Sequence, residues 1–215
     1  MVQSENERTK EELAKLIEFK NEFATCLKRD IVKEYHLRIK LNGTSVAIWR
    51  EFVVPSNISL LYLGSVLVDV MGWSGCHLYQ FIKSKLYYIT KEQYDDSFFT
   101  DDCRIMSEYA LSDLFVEKGD RMRYEYDFGD SWMHDLWLKG LRDYNEGEGH
   151  RIKLLKGHGV CPPEDCGGVW GYEDILELLK KKRWNKEERE MMDWFCIDRD
   201  YNPEEFDIDE WEEIL

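Results

Sequence analysis

From Tyr35 to Leu41 the chain alternates. Tyr35, Leu37, Ile39 and Leu41 are separated by His36, Arg38 and Lys40. That period of two turns every second side chain toward a core and predicts a half-buried strand. Asn42-Gly43 then predicts a tight hairpin turn, with a return strand over Ser45–Val54 stopped by Pro55. A second period, near 3.6, runs through residues 5–29. There Leu13, Leu16, Ile17, Phe23, Ala24 and Leu27 form an apolar stripe among lysines and glutamates, which predicts an accessory helix.

Helical spacing returns after Ser59, a residue suited to cap a helix N-terminus. Leu60, Leu63, Val66, Leu67, Val70 and Met71 make one stripe, and Gly72 is placed to end it. Two short strands are predicted next, His77–Ile82 and Leu86–Ile89, followed by an acidic loop over 95–102 and a helical turn at Leu111–Phe115. Downstream of a glycine-rich, charged loop at 143–150, Tyr172, Ile175, Leu176 and Leu179 mark another amphipathic helix. Asn185 with Glu188 spells a capping box for a helix through Phe195. Asn202-Pro203-Glu204-Glu205 predicts a short acidic helix at the end. Antiparallel hairpins with helices that do not alternate with strands predict an α+β fold.

Between the two halves lies a densely patterned stretch, residues 124–137. It holds five aromatic residues, four acids and a histidine around Gly129. It reads as two strands joined by the turn Phe128-Gly129-Asp130. That turn groups Met122, Tyr124, Tyr126, Trp132, His134, Leu136 and Leu138 on one face. Arg121, Arg123, Glu125, Asp127, Met133, Asp135, Trp137 and Lys139 fall on the other. A two-residue turn would mix apolar and charged positions on both faces. In the favoured register His134 and Asp127 are on opposite faces, which disfavours a direct dyad. His134 is then either a core histidine bonded to a neighbouring group or the floor of a pocket. Asp130 either bonds turn amides or stands at that pocket's rim.

The loop Cys161-Pro162-Pro163-Glu164-Asp165-Cys166-Gly167-Gly168 is the other irregular stretch. The expectation is that it meets the Phe128–Asp130 turn. The candidate binding pocket is accordingly His77, Asp127, Asp130, Trp132, His134, Glu164 and Asp165. His158, Cys161 and Cys166 supply three of the four donors a zinc site needs, at loose spacing. No phosphate-cradling glycine loop, nucleophile elbow or His-Glu-x-x-His helix is present in the sequence. No cofactor is indicated.

Charge narrows the partners. The net charge is −15, and the last 30 residues hold 13 acids against 3 bases. Such a chain is expected to repel nucleic acid backbones, leaving a protein or a small molecule as the partner. The basic run Lys180–Arg183 suits a helix C-terminus. No apolar run is long enough for a membrane span, and the first residues lack the apolar core of a secretory signal. The expectation is a cytoplasmic protein whose six cysteines are free thiols.

The hairpin Tyr126-Asp127-Phe128-Gly129-Asp130-Ser131-Trp132 with His134, and the loop Cys161–Gly168 with Gly171-Tyr172, resemble the plasmid pRiA4b ORF-3-like family. Further matches follow in order: Ile48-Trp49-Arg50; Met71-Gly72-Trp73 with His77 and Phe81; and Tyr201-Asn202-Pro203-Glu204-Glu205-Phe206-Asp207. Asn202 stands where the family often has aspartate. The likeness covers residues 34–215 and leaves 1–33 as an N-terminal extension. It implies a compact α+β roll with a curved antiparallel sheet flanked by helices, and an association with plasmids and mobile elements. It does not imply an activity. Some members carry a resolvase label, but the recombinase signature and basic tail that label needs are missing from this sequence. Two readings follow: a binding or adaptor module, and a hydrolase or metal-assisted enzyme using His77, Asp130, His134, Glu164 and Asp165.

Overall fold

A computed structural model describes residues 26–97, 101–143 and 152–208. The predicted helix over residues 5–29 and the loop at 144–150 therefore lie almost wholly outside the described residues. The frame is one eight-stranded sheet in the order β5-β4-β3-β6-β7-β1-β2-β8. Its strands are β1 (Lys33–Leu41), β2 (Trp49–Pro55), β3 (Tyr79–Lys83), β4 (Leu86–Ile89), β5 (Cys103–Ile105), β6 (Arg121–Tyr126), β7 (Trp132–Asp143) and β8 (Lys153–His158). All neighbours are antiparallel except β4 and β5. The helices are α1 (Leu60–Met71), α2 (Lys91–Asp95), α3 (Leu111–Leu114), α4 (Gly168–Leu179) and α5 (Lys186–Trp194). This is the expected α+β class.

The alternation seen in sequence decides which face is buried. Tyr35, Leu37, Ile39 and Leu41 of β1 join Phe52, Val54, Phe81, Tyr124, Leu136 and Leu138 in one core. α1 lies over that face. Ser59 caps it by accepting from the Tyr62 amide, and Gly72 ends it in the left-handed conformation. Gly64 sets how close the helix comes, because a Cβ there would sit 2.1 Å from the ring of Tyr79. Tyr124 Oη reaches the Gly64 carbonyl at 3.4 Å. A smaller core of Ile175, Met192 and Ile197 joins α4 to α5, and the Asn185–Glu188 capping box forms as its spacing predicts.

The central hairpin takes the favoured register, with Tyr126 opposite Trp132, Tyr124 opposite His134 and Met122 opposite Leu136. Other elements differ from expectation. The β1–β2 connection is not a two-residue turn. Residues 42–48 form a loop closed by the bond from Leu41 N–H to Ile48 O at 2.9 Å, so β2 starts only at Trp49. Gly43 packs on Val169 of α4, and the Ser45 amide donates to Glu173 at 2.6 Å. Contacts with α4 thus replace the strand pairing that Asn-Gly would favour. Residues 202–208 contain only turns, and the rest of the predicted acidic terminal helix lies outside the described residues. Leu27 and Arg29 are fastened to the domain by Leu27 N–H to Asn57 O at 3.1 Å and by an Arg29–Asp113 ion pair at 2.5 Å.

Arg50 lies on the core side of β2 and is 1 % exposed. Its guanidinium donates to the carbonyls of Val70, Trp49, His158 and Gly159 at 2.9–3.0 Å. Burial lowers its pKa to about 10, partly offset by Cys161. One cation thus ties the end of α1 to the β2–β8 edge.

The acid–imidazole junction between two loops

The expected meeting of two loops occurs. Asp130 Oδ2 accepts from the Gly167 amide at 3.2 Å. Gly168, at φ +66°, lies so near that a Cβ would sit 2.5 Å from the Asp130 carbonyl oxygen, so only glycine fits that contact. Trp73, just past the α1 cap, donates from Nε1 to Pro162 O at 3.1 Å and stacks on Tyr126 with centroids 4.8 Å apart. Tyr126 Oη in turn donates to Glu164 Oε1 at 2.6 Å, while the Ser74 amide donates to Oε2 at 3.2 Å. Burial, the largest single influence on Glu164, pushes its pKa up. The bonds from Ser74 and Tyr126, with His77 nearby, outweigh it and hold the carboxyl below the ordinary value.

His77 stands over this junction, edge-on to Tyr126 at 5.7 Å. Its Nδ1 lies 3.7 Å from Asp127 Oδ2, and its Nε2 lies 3.6 Å from Asp165 Oδ1. One donor atom from each residue falls within 4.8 Å of the others, the sole three-residue grouping of metal-ligating type among the described residues. Asp127 and Asp165 both have left-handed backbone, at φ 57° and 58°. Aspartate tolerates that region better than most residues. Asp127 leaves the strand there: its N–H donates to Leu78 O, and its Oδ1 accepts from the Gly129 amide at 2.9 Å. The side chain therefore turns toward His77.

The structure does not bring every candidate to this surface. Trp132 and His134 are 0 % exposed and belong to the closed core. His134 Nδ1 faces the Tyr124 carbonyl at 3.3 Å, and Trp73 packs edge-on against the ring at 5.2 Å. Burial, set against the Tyr124 and Trp132 backbone, lowers its pKa to about 3. Of the two sequence readings of His134, this is the core histidine. Asp130 bonds a loop amide across the junction rather than an amide of its own turn. His158, Cys161 and Cys166 do not gather. His158 Nδ1 donates to Ala47 O at 2.7 Å, and its ring stacks on Trp49. Burial drives the Cys161 thiol far up and the Cys166 thiol up to about 12, so neither is a ready thiolate. Sequence reasoning passed over Trp73, Ser74 and Tyr126 as parts of this junction. Trp73 carried a signal, as an aromatic residue directly after a helix-ending glycine.

A family model described as plasmid pRiA4b ORF-3-like protein matches residues 33–210. An uncharacterised protein of Sinorhizobium fredii is 32% identical over 167 residues, covering 77% of this chain and 82% of that protein. The crystal structure of a protein of unknown function from Methanosarcina mazei superposes with a TM-score of 0.70 at 30% identity. It covers 84% of this chain and 98% of that one.

Proposed function

The chain belongs to the plasmid pRiA4b ORF-3-like family, and we propose that it works as a binding module whose ligand site is the junction of His77, Asp127 and Asp165. The observation that carries this is the placement of one imidazole nitrogen and two carboxylate oxygens within 4.8 Å of one another. The gaps of 3.6 and 3.7 Å are too long for direct hydrogen bonds and short enough to close around one small cation. A divalent ion with bonds of about 2.1 Å separates its ligands by about 3–4 Å. One nitrogen with two oxygens and no thiolate suits zinc or manganese. The other coordination positions would belong to solvent or to the recognised partner, a protein or a small molecule.

The binding reading is preferred to the hydrolase or metal-assisted enzyme reading because three of the five groups that reading needs are engaged elsewhere: His134 is sealed in the core, Asp130 accepts from the Gly167 amide, and Glu164 accepts from Tyr126 Oη and the Ser74 amide. A cytoplasmic setting is part of the same proposal, supported by six cysteines that remain free thiols. No helix among the described residues is long and apolar enough to cross a membrane. A connection with plasmids rests on the family description alone. Isothermal titration of the full chain with zinc, manganese and calcium chlorides tests the site. Saturable binding of one equivalent, lost in His77→Gln and in Asp127→Asn, is the expected result. No heat at millimolar metal, or binding indifferent to both substitutions, would refute it.

A further inference from the structure

The face of the sheet turned away from α1 follows a different charge rule from the rest of the chain. Two adjoining grooves open on it and share Gly119. The first, about 350 Å³, is lined by Arg38, Lys40, Lys118 and Lys139 around Trp137, with no acid in its wall. The second, about 660 Å³, adds Lys83, Arg121 and Arg123 against Asp120 and Asp135. Asp120 is already committed, accepting from the Val116 and Glu117 amides at 2.6 and 3.0 Å and lying 3.9 Å from Lys83. Arg38 leans toward Glu51 and the Trp49 ring. Lys40, Lys118, Lys139, Arg121 and Arg123 have no ion-pair partner among the described residues. Five unpaired cations around a half-exposed tryptophan is an unusual concentration in a chain of net charge −15.

Register explains the arrangement. Trp137 lies opposite Arg38 on β1 and opposite Arg121 on β6, so an indole is flanked by a guanidinium on each neighbouring strand. Lys139 follows two positions along on the same face. We propose that this groove is a docking surface for single-stranded nucleic acid, the cations taking backbone phosphates and Trp137 stacking on a base. Charge complementarity selects a polyanion. The central aromatic ring favours a nucleic acid over an acidic peptide, which has no base to stack. An unpaired strand offers the base faces that a duplex hides. The net charge argued against this partner because it averages over the whole chain. A ligand on this face responds to charges within about 8 Å at physiological salt. The acidic stretch after residue 186 follows α4, whose Tyr172 and Leu176 pack in the core on the opposite face of the sheet.

The test is fluorescence anisotropy of the full chain with a labelled twelve-nucleotide oligothymidylate and its RNA counterpart, from about 0.05 to 0.3 M salt. Expected is micromolar binding that weakens with salt. The double variant Lys40→Glu/Lys139→Glu should weaken it about tenfold or more, and Trp137→Leu about fivefold or more, in line with the loss of one stacked base. The control Lys182→Glu/Arg183→Glu, on the helical side, should leave it within twofold, with melting midpoints confirming that each variant is folded. Salt-insensitive or undetectable binding at 0.05 M overturns the proposal. So does an equal response to the control reversal. Polyglutamate bound as tightly as the oligonucleotide would assign the groove to an acidic peptide instead.

Discussion

His134→Ala separates a sealed core histidine from a pocket floor through its dependence on pH. The ring is 0 % exposed and packed between Trp73 and Tyr124, so its removal leaves a cavity and loses the ring's bond to the Tyr124 carbonyl. Those losses amount to about 2–3 kcal/mol near pH 7. The wild-type ring also makes stability depend on pH. Its folded pKa of about 3 lies below the ordinary 6.5. The unfolded chain therefore binds more protons, and the neutral buried ring loses stability as the pH falls below 6.5 toward 3. At pH 5 that loss is about 2 kcal/mol, and near pH 7 it is about 0.2. The alanine variant lacks it. Urea unfolding at pH 7 and pH 5 should therefore show a gap of about 2–3 kcal/mol that shrinks by about 2 kcal/mol at the lower pH. A gap that is the same at both values would show that His134 takes up a proton as readily in the folded protein as in the unfolded chain. A variant matching wild type at pH 7 would show an open site.

Two further outcomes follow from the junction and from the start of the domain. The Tyr126 Oη bond to Glu164 at 2.6 Å should appear as a coupling of about 1–2 kcal/mol in a double-mutant cycle of Tyr126→Phe and Glu164→Gln, and a coupling near zero would mean that the loop is held by Trp73 and Pro162 alone. A chain starting at Lys33 should still unfold cooperatively by circular dichroism, with its midpoint lowered by about 2–4 °C for roughly 1 kcal/mol of lost Arg29–Asp113 and Leu27–Asn57 contacts, whereas a broad, molten transition would place the preceding segment in the core.

Elements governed by near neighbours were legible in the sequence. Ser59 and Gly72 bound α1, the Asn185–Glu188 box starts α5, and the separation of apolar from charged residues about Gly129 set the hairpin register. Each depends on residues a few positions apart, so the order of residues nearly determines the outcome. The contact between the two glycine-bearing loops was legible on another ground, their shared irregular and acidic character, since its partners Asp130 and Gly167 are far apart in the chain. β8 was not legible, because Lys153–His158 has no sustained alternation and is extended through its ladder to β2. β5 is likewise a strand only through parallel pairing with β4. The start of β2 was displaced by α4, which occupies the turn that Asn42-Gly43 would have closed. His77, Asp127 and Asp165 stood together in the expected pocket, but the tertiary structure decided that these three come within 4.8 Å while Trp132 and His134 are sealed in the core. Tertiary structure alone aligned Arg38, Trp137 and Arg121 across three strands. Side-chain alternation assigns a residue to a face of its own strand, but which strands become neighbours is decided by long-range hydrogen bonding and burial, and that decision is what collects dispersed side chains into a site.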